Sequence, residues 1–481
     1  MTRLVMLLIA VCLLKTTCAG QDGGLAVINE GTEKACLTYE GKPLFAFGPM
    51  NEHILWQVKL GSELYDVTAW ARWQQANGMN YVRCYPASGY GWTHDISDRP
   101  DYLFPFEKVS DEPVRFDLAR FNDAYWQNFR AVAETLRTHG IIVHLQLFQL
   151  CYFETNPGGE LRWPYNFWNP VNNINDFARS MAPNGRGHHP IIEQVADGQH
   201  PGLREHYLSY LDHLLAAVGD LGNVFFDLSN EMGDGGLDLE LTKQWVELTL
   251  DHVEAWERET GHDVLVGQDF SHFPAPDYLL RHPRMELIIA HGDDVWHDWT
   301  GYRKPVVIVN SADGRGLRYA DPSMPDRFPR FRKLHWRALL SRAQGLGDYQ
   351  KEWQAQPGTY PEFDRDAQLL RAFFDSLVDY PNLLPHNDCI VSAPGAEKYC
   401  LASQREAVVY LESGPATAGV EYSPSQLVLQ GLPLRGGQAR VTIFSPAGGP
   451  VAEATQTLTD GRLQIQLPAF TDDLALHLLA Q

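Results

Sequence analysis

Positive charge is the first scarcity. Lys and Arg number 39 against 60 Asp and Glu, a formal net charge of -21 at pH 7. So acidic a chain repels phosphate backbones, which argues against nucleic acid as a partner. Long apolar runs are missing as well: beyond the N-terminal segment no stretch of about 18 apolar residues occurs, so no membrane span is expected. Cysteine is sparse, seven in 481 residues, and neither a Cys-x-x-Cys nor a His-Glu-x-x-His pattern appears. Neither a metal site nor a cofactor is therefore expected.

What apolar run there is lies at the start. Met1-Thr2-Arg3 precedes an apolar stretch at 4–14 that is too short to cross a bilayer, followed by the small residues Thr17-Cys18-Ala19. This is the layout of a secretory signal at 1–19, which predicts a secreted or periplasmic protein. Its removal takes the formal charge from -21 to -23, because Arg3 and Lys15 leave with it. Cys36, Cys84, Cys151, Cys389 and Cys400 remain, an odd number that leaves at least one thiol free. Cys389 and Cys400 flank an expected hairpin, where a bridge in an oxidising compartment and two separate strand thiols are both open.

The rest of the chain alternates short apolar runs with longer amphipathic ones. After a small hairpin at 25–39, strands are expected at 44–48, 79–86, 141–148, 223–231, 263–267, 285–291, 304–310 and, loosened by Gly345 and Gly347, 344–349. Helices are expected at 62–75, 116–139, 200–218, 239–259, 331–342 and 366–378, several closed by glycine. Eight strands with intervening helices predict a (β/α)8 TIM barrel over 20–382, with 150–200 as a long substrate-facing loop. Past Tyr380-Pro381-Asn382 the texture changes to short alternating runs between Gly, Pro and Asp turns, a small all-β sandwich over 386–481.

The carboxyl ends of barrel strands carry chemistry in this fold. Asn230-Glu231 closes strand four, Arg83 lies late in strand two and His291 ends strand six. His144 and Gln146 share one side of strand three, and Glu52 and His53 follow strand one. Trp92, Trp163, Trp168, Trp296 and Trp299 fall in the expected loops, where an indole face can stack on a sugar.

With the Asn-Glu pair, Arg83 and His291 in these places, residues 44–350 resemble the clan A glycoside hydrolases, the cellulase-like and family 5-like TIM barrels. The tail, with Val441-Thr442-Ile443-Phe444-Ser445-Pro446-Ala447-Gly448-Gly449, is similar to the sandwich that follows the barrel in several such proteins. The resemblance implies two carboxyls about 5–5.5 Å apart, one protonating the leaving oxygen and one attacking the anomeric carbon. Glu231 is then the general acid/base and Asn230 binds the sugar 2-hydroxyl; Arg83 is open between orienting the nucleophile and binding a sugar hydroxyl, His291 is a candidate to bond either carboxylate, and the positions of His144, Trp168 and Trp296 make them candidates for lining the cleft. The family's strand-seven glutamate is absent, since Val309-Asn310 runs into Ser311-Ala312-Asp313-Gly314. Asp313 becomes the candidate second carboxylate, against its alternative as a turn aspartate before Gly314. Two functions follow: hydrolysis of a poly- or oligosaccharide, or a barrel without catalysis that serves as a secreted carbohydrate-binding protein.

Overall fold

A computed structural model describes residues 23–49, 54, 66–90, 103–149, 163–175, 191–230, 232, 237–271, 273–291, 299–309, 327–348, 361–395, 397–414 and 417–481. Its centre is a parallel sheet of eight strands: β1 Ala46–Pro49, β2 Tyr81–Cys84, β3 Ile142–Gln149, β4 Val224–Asn230, β5 Leu265–Asp269, β6 Leu287–His291, β7 Val306–Val309 and β8 Gly345–Asp348. They pair in the order β1-β8-β7-β6-β5-β4-β3-β2. Around them stand α1 Val67–Ala76, α2 Asp123–Thr138, α3 Pro201–Val218, α4 Leu239–Thr260, α5 Pro276–Leu280, α6 Arg327–Leu340 and α7 Pro361–Asp375. The fold is the expected TIM barrel followed by a β-sandwich.

Side-chain alternation explains why the strands look apolar throughout. In β4, Val224, Phe226 and Leu228 pack outward against helices, while Phe225 joins an interior layer with Tyr81, Ile142, Leu265 and Leu287. Both faces are buried, so apolar residues occupy both. The N-terminal sheet, Leu25–Ile28 with Cys36–Tyr39 and Lys42–Pro43, closes the barrel's amino end. Leu25 N donates to Gly222 O (2.7 Å) and Leu37 joins the interior layer.

The β1–β2 seam is held differently from the other seven. Asn80 N donates to Phe47 O (2.9 Å), and Phe47 N donates back to the Asn80 side-chain oxygen (2.9 Å). One amide side chain thus stands in for a ladder bond. Gly48 is required here, because a Cβ would lie 2.1 Å from the Tyr81 carbonyl oxygen. Gly347 likewise leaves room for the Tyr81 ring, which a Cβ would approach to 2.8 Å.

Elements depart from expectation in three places: a helix, Ile191–Asp197, lies in the span expected as a loop, the short helix Pro276–Leu280 follows strand five, and a hairpin replaces the start of the helix before strand three. The helix expected from 116 begins at Asp123, and a hairpin of Phe106–Asp111 and Val114–Phe121 precedes it. Phe116 and Leu118 are buried between more exposed neighbours, a period of two that continues into the helical pattern without a breaker. Asn122 then caps α2, its side chain accepting from Ala124 N.

The C-terminal six-stranded sheet orders Leu384–Pro385, Glu397–Ala402, Glu406–Glu412, Asp473–Ala480, Gln438–Ser445 and Gly449–Thr457. A three-stranded sheet of Ile390–Ser392, Ser425–Leu429 and Leu463–Leu467 covers one face. Residues alternate cleanly in the central strand: Ala407, Val409 and Leu411 enter the sandwich core, whereas Val408 and Tyr410 pack on Trp336 and Phe373 of the barrel. The centre of the larger sheet is therefore buried on both sides.

Candidate active site

The interior of β2, β3 and β4 turns polar toward the strands' carboxyl ends. Tyr81, Arg83, His144, Gln146, Asp227 and Asn230 are all buried there. A buried charge needs a partner and hydrogen bonds, and these six supply one another. Arg83 Nη2 donates to Asn230 Oδ1 at 2.6 Å and lies 4.0 Å from Asp227 Oδ2. Gln146 Nε2 donates to Asp227 Oδ2 (3.3 Å) and Asn230 Oδ1 (3.2 Å), and its own oxygen accepts from Gln149 Nε2 (3.3 Å). Asp227 Oδ1 takes the Asp269 backbone N–H at 3.0 Å.

The protonation states follow from the partners. Burial pushes His144 down to about 4, against the raising effect of the Asp227 carboxylate and with the help of the Arg83 charge, so the imidazole is neutral. Asp227 only accepts, so His144 Nε2 carries the proton and donates to Asp227 Oδ2 (3.3 Å). That leaves Nδ1 to accept from Tyr81 O–H at 2.6 Å. Burial raises the Tyr81 phenol well above its usual value, so it remains the donor. Arg83 and Asp227 are groups of opposite charge 4.0 Å apart.

Two donors converge on Asn230 Oδ1, which fixes the amide's orientation. Its Nδ2 has no acceptor among the described residues. The strand tip that carries Asn230 is strapped to β5 beyond the last ladder pair, Gly267 with Asp227. Gln268 Oε1 accepts from Ser229 N (3.1 Å), and Gln268 Nε2 donates to Ser229 O (2.6 Å). Asp227 and Asn230 are three residues apart yet reach the same Arg83, so the strand's two-residue alternation shifts phase within this strapped segment.

Loops after β2 and β3 build one wall above these strands. Tyr90 N donates to Tyr165 O (3.0 Å), Phe167 N to Ser88 O (3.2 Å), and Phe116 N to Asn172 O (2.9 Å). Asparagine side chains hold the turns from within: Asn172 Nδ2 donates to Pro164 O (2.7 Å), Asn173 Nδ2 to Phe167 O (3.0 Å), and Asn175 Oδ1 accepts from Leu118 N (2.6 Å). The asparagines at 166–175 are thus framework for the wall.

Of the residues expected from the sequence, Arg83, Asn230, His144 and Gln146 come together. Trp168 is a correction: it is 3 % exposed and packs against Phe148, His206 and Tyr210, so its indole belongs to the core instead of a sugar platform. Trp299 is buried beside Phe270 and Tyr302 in the same way. His291 ends β6, and its side chain lies outside the described residues, as do Glu231, Asp313, Trp296, Trp92, Glu52 and His53. Asp227 escaped the sequence reading. Its signal is an acid inside the apolar run Val224-Phe225-Phe226-Asp227-Leu228, where only a partnered charge is tolerated. Among the described residues no group of three His, Cys, Asp or Glu is placed to hold a metal, and no helix is long and apolar enough to cross a membrane.

Residues 100–283 match a family model described as a domain of unknown function, DUF6298. No curated protein matches the chain. Solved structures with the same fold include a glycoside hydrolase family 5 protein from Bacteroides vulgatus, 12 % identical, with 95 % of this chain and 94 % of that one covered at a TM-score of 0.58. A protein described as a glycoside hydrolase is 12 % identical with 96 % and 97 % covered and a TM-score of 0.59. Another Bacteroides vulgatus glycoside hydrolase structure is 16 % identical, with 95 % and 82 % covered and a TM-score of 0.57. Their likeness spans barrel and sandwich together.

Proposed function

We propose that this chain is an exported glycoside hydrolase that cleaves O-glycosidic bonds of a poly- or oligosaccharide, with Glu231 as general acid/base. The observation that supports the reading is the fixed amide of Asn230, its oxygen locked by Arg83 and Gln146. An amide held this way suits a sugar hydroxyl, and Glu231, the next residue in the sequence, is the proposed acid for the glycosidic oxygen. The shared fold of the named hydrolases agrees with this class. Asp313 is the proposed second carboxylate, as nucleophile at close separation or as base for a water at a wider one. Cleavage of 1–19 would release a secreted or periplasmic protein with a barrel at 20–382 and a sandwich at 386–481.

A second reading, a secreted carbohydrate-binding barrel without turnover, has one observation in its favour. Among the described residues Arg83 lies 4.0 Å from Asp227, and the sequence places Asn310 and Ser311, with no glutamate, directly after β7. Assays of the wild type, Glu231→Gln and Asp313→Asn on a glycan panel separate the two. Hydrolysis requires wild-type turnover and a loss of roughly 10²–10⁴-fold in kcat/KM for Glu231→Gln. Turnover indifferent to Glu231→Gln overturns the assignment, and glycan binding with no turnover on the whole panel establishes the second reading.

A further inference from the structure

We infer that Cys389 and Cys400 form a disulfide that staples the entry of the sandwich, formed by oxidation of the two thiols that the fold places side by side. Their sulfurs are 3.3 Å apart, with the Cys389 thiol donating to Cys400 Sγ. Both are buried, at 3 % and 0 % exposure.

Backbone bonds hold the pair in place. His386 N donates to Cys400 O (2.8 Å), Cys400 N donates to the Asn387 side-chain oxygen (2.7 Å), Cys389 N donates to His386 O (3.0 Å), and Gln430 N donates to Cys389 O (2.8 Å). Neither segment can drift, so the sulfurs stay adjacent. A disulfide bond is about 2.05 Å long, and rotation about the side-chain bonds supplies the remaining approach of roughly an ångström. The link would tie the turn Asn387–Cys389, which follows the barrel, to the strand Glu397–Ala402.

The two sulfurs also differ in chemistry from the other described thiols. Hydrogen bonding to Cys400 lowers the Cys389 thiol below its usual value, while Cys400 is raised by the same bond and by burial. Cys36 is pushed up to about 11 by burial, and burial raises Cys84 further. One of the two cysteines, as its thiolate, attacks a sulfur of an external disulfide and expels one thiolate; the other then attacks the protein sulfur of the mixed disulfide and expels the second. Two protein thiols are oxidised, one external disulfide is reduced, and two protons pass to the departing thiolates. Since both sulfurs are buried once folded, the exchange belongs to folding in an oxidising compartment.

Trypsin separates the two cysteines, because Lys398 and Arg405 place them in peptides 372–398 and 399–405. The full chain is refolded with oxidised and reduced glutathione, unfolded in N-ethylmaleimide without reductant, digested and weighed. The expected product joins the two peptides, lighter by two hydrogens than their sum, and is split by reductant. Both peptides fully alkylated, or either joined to a peptide of Cys36, Cys84 or Cys151, overturns the inference. In parallel, reductant should lower the unfolding midpoint of the wild type by a few degrees and leave Cys400→Ala unmoved. A midpoint lowered equally in both, or unmoved in the wild type, overturns the stapling role.

Discussion

Asp227 is the residue on which the barrel's polar interior converges. It accepts from His144, Gln146 and the Asp269 backbone, and it is the counter-ion of Arg83. His144, held neutral between Tyr81 and Asp227, makes stability depend on pH. Its pKa is about 4 in the fold against 6.5 unfolded, so below pH 6.5 the unfolded chain takes up a proton that the fold refuses. The contribution is complete above pH 6.5 and is lost as pH falls toward 4, on the order of 3 kcal/mol if fully expressed. His206, also held near 4 by burial, acts in the same sense. His144→Gln keeps both hydrogen-bonding partners and removes the titration. Its unfolding free energy should fall less between pH 7 and pH 4 than that of the wild type; parallel curves would sink the argument. Arg83, His144 and Asn230 are legible in the sequence as polar residues inside strands. Asp227 is not, because a single acid in an apolar run shows its role only when its partners, from three other strands and far along the chain, are seen around it.

At the scale of elements, the barrel is completed by side chains at two places where backbone pairing stops. Gln268 straps the tip of β4 to β5, and Asn80 closes the seam between β1 and β2. Replacing Asn80 by Ala leaves the Phe47 N–H without its acceptor, a loss of about 1–3 kcal/mol in a partly buried seam. Denaturant unfolding of Asn80→Ala should show this, with faster amide exchange at Phe47, and an unchanged midpoint and exchange rate would refute the seam's dependence on that side chain. Strand and helix positions are readable because each buries a repeating face. The hairpin of Phe106–Asp111 and Val114–Phe121 is not, since its period-two stretch passes directly into the helical period of α2. Its pairing partners, the asparagine-rich residues 172–175, are some 50 residues away in the chain.

For the whole molecule, the sandwich and barrel share a core. Trp336 and Phe373 of the barrel meet Tyr410 and Phe444 of the larger sheet. Charged groups are buried in the same seam: Arg332 clasps Asp473 through Nε (3.0 Å) and Nη2 (2.8 Å), Tyr410 O–H donates to that carboxylate (3.0 Å), and Arg337 pairs with Glu412. Removal of 386–481 would take Asp473 from Arg332 and Glu412 from Arg337 and uncover Trp336. Breaking a buried pair from one side costs about 3–5 kcal/mol, so the truncated barrel should be largely insoluble, as checked by expression and sedimentation. A soluble barrel with the full-length unfolding midpoint would show that the sandwich does not brace it. This seam explains why the strand at 406–412 reads as continuously buried: the sandwich takes one face and the barrel the other.

By itself the sequence determined the order of the eight barrel strands and of the longer helices around them, the change to β structure past residue 382, and the polar residues at the ends of strands two to four. These are local matters, set by periodicity and by what a strand interior tolerates. Only the tertiary structure decided that Asp227 balances Arg83, that Trp168 packs in the core, that asparagines build the wall over β2 and β3, and that Cys389 meets Cys400. Each depends on residues brought together across turns, strands or whole domains, where packing and the burial of charge select partners that no local pattern encodes.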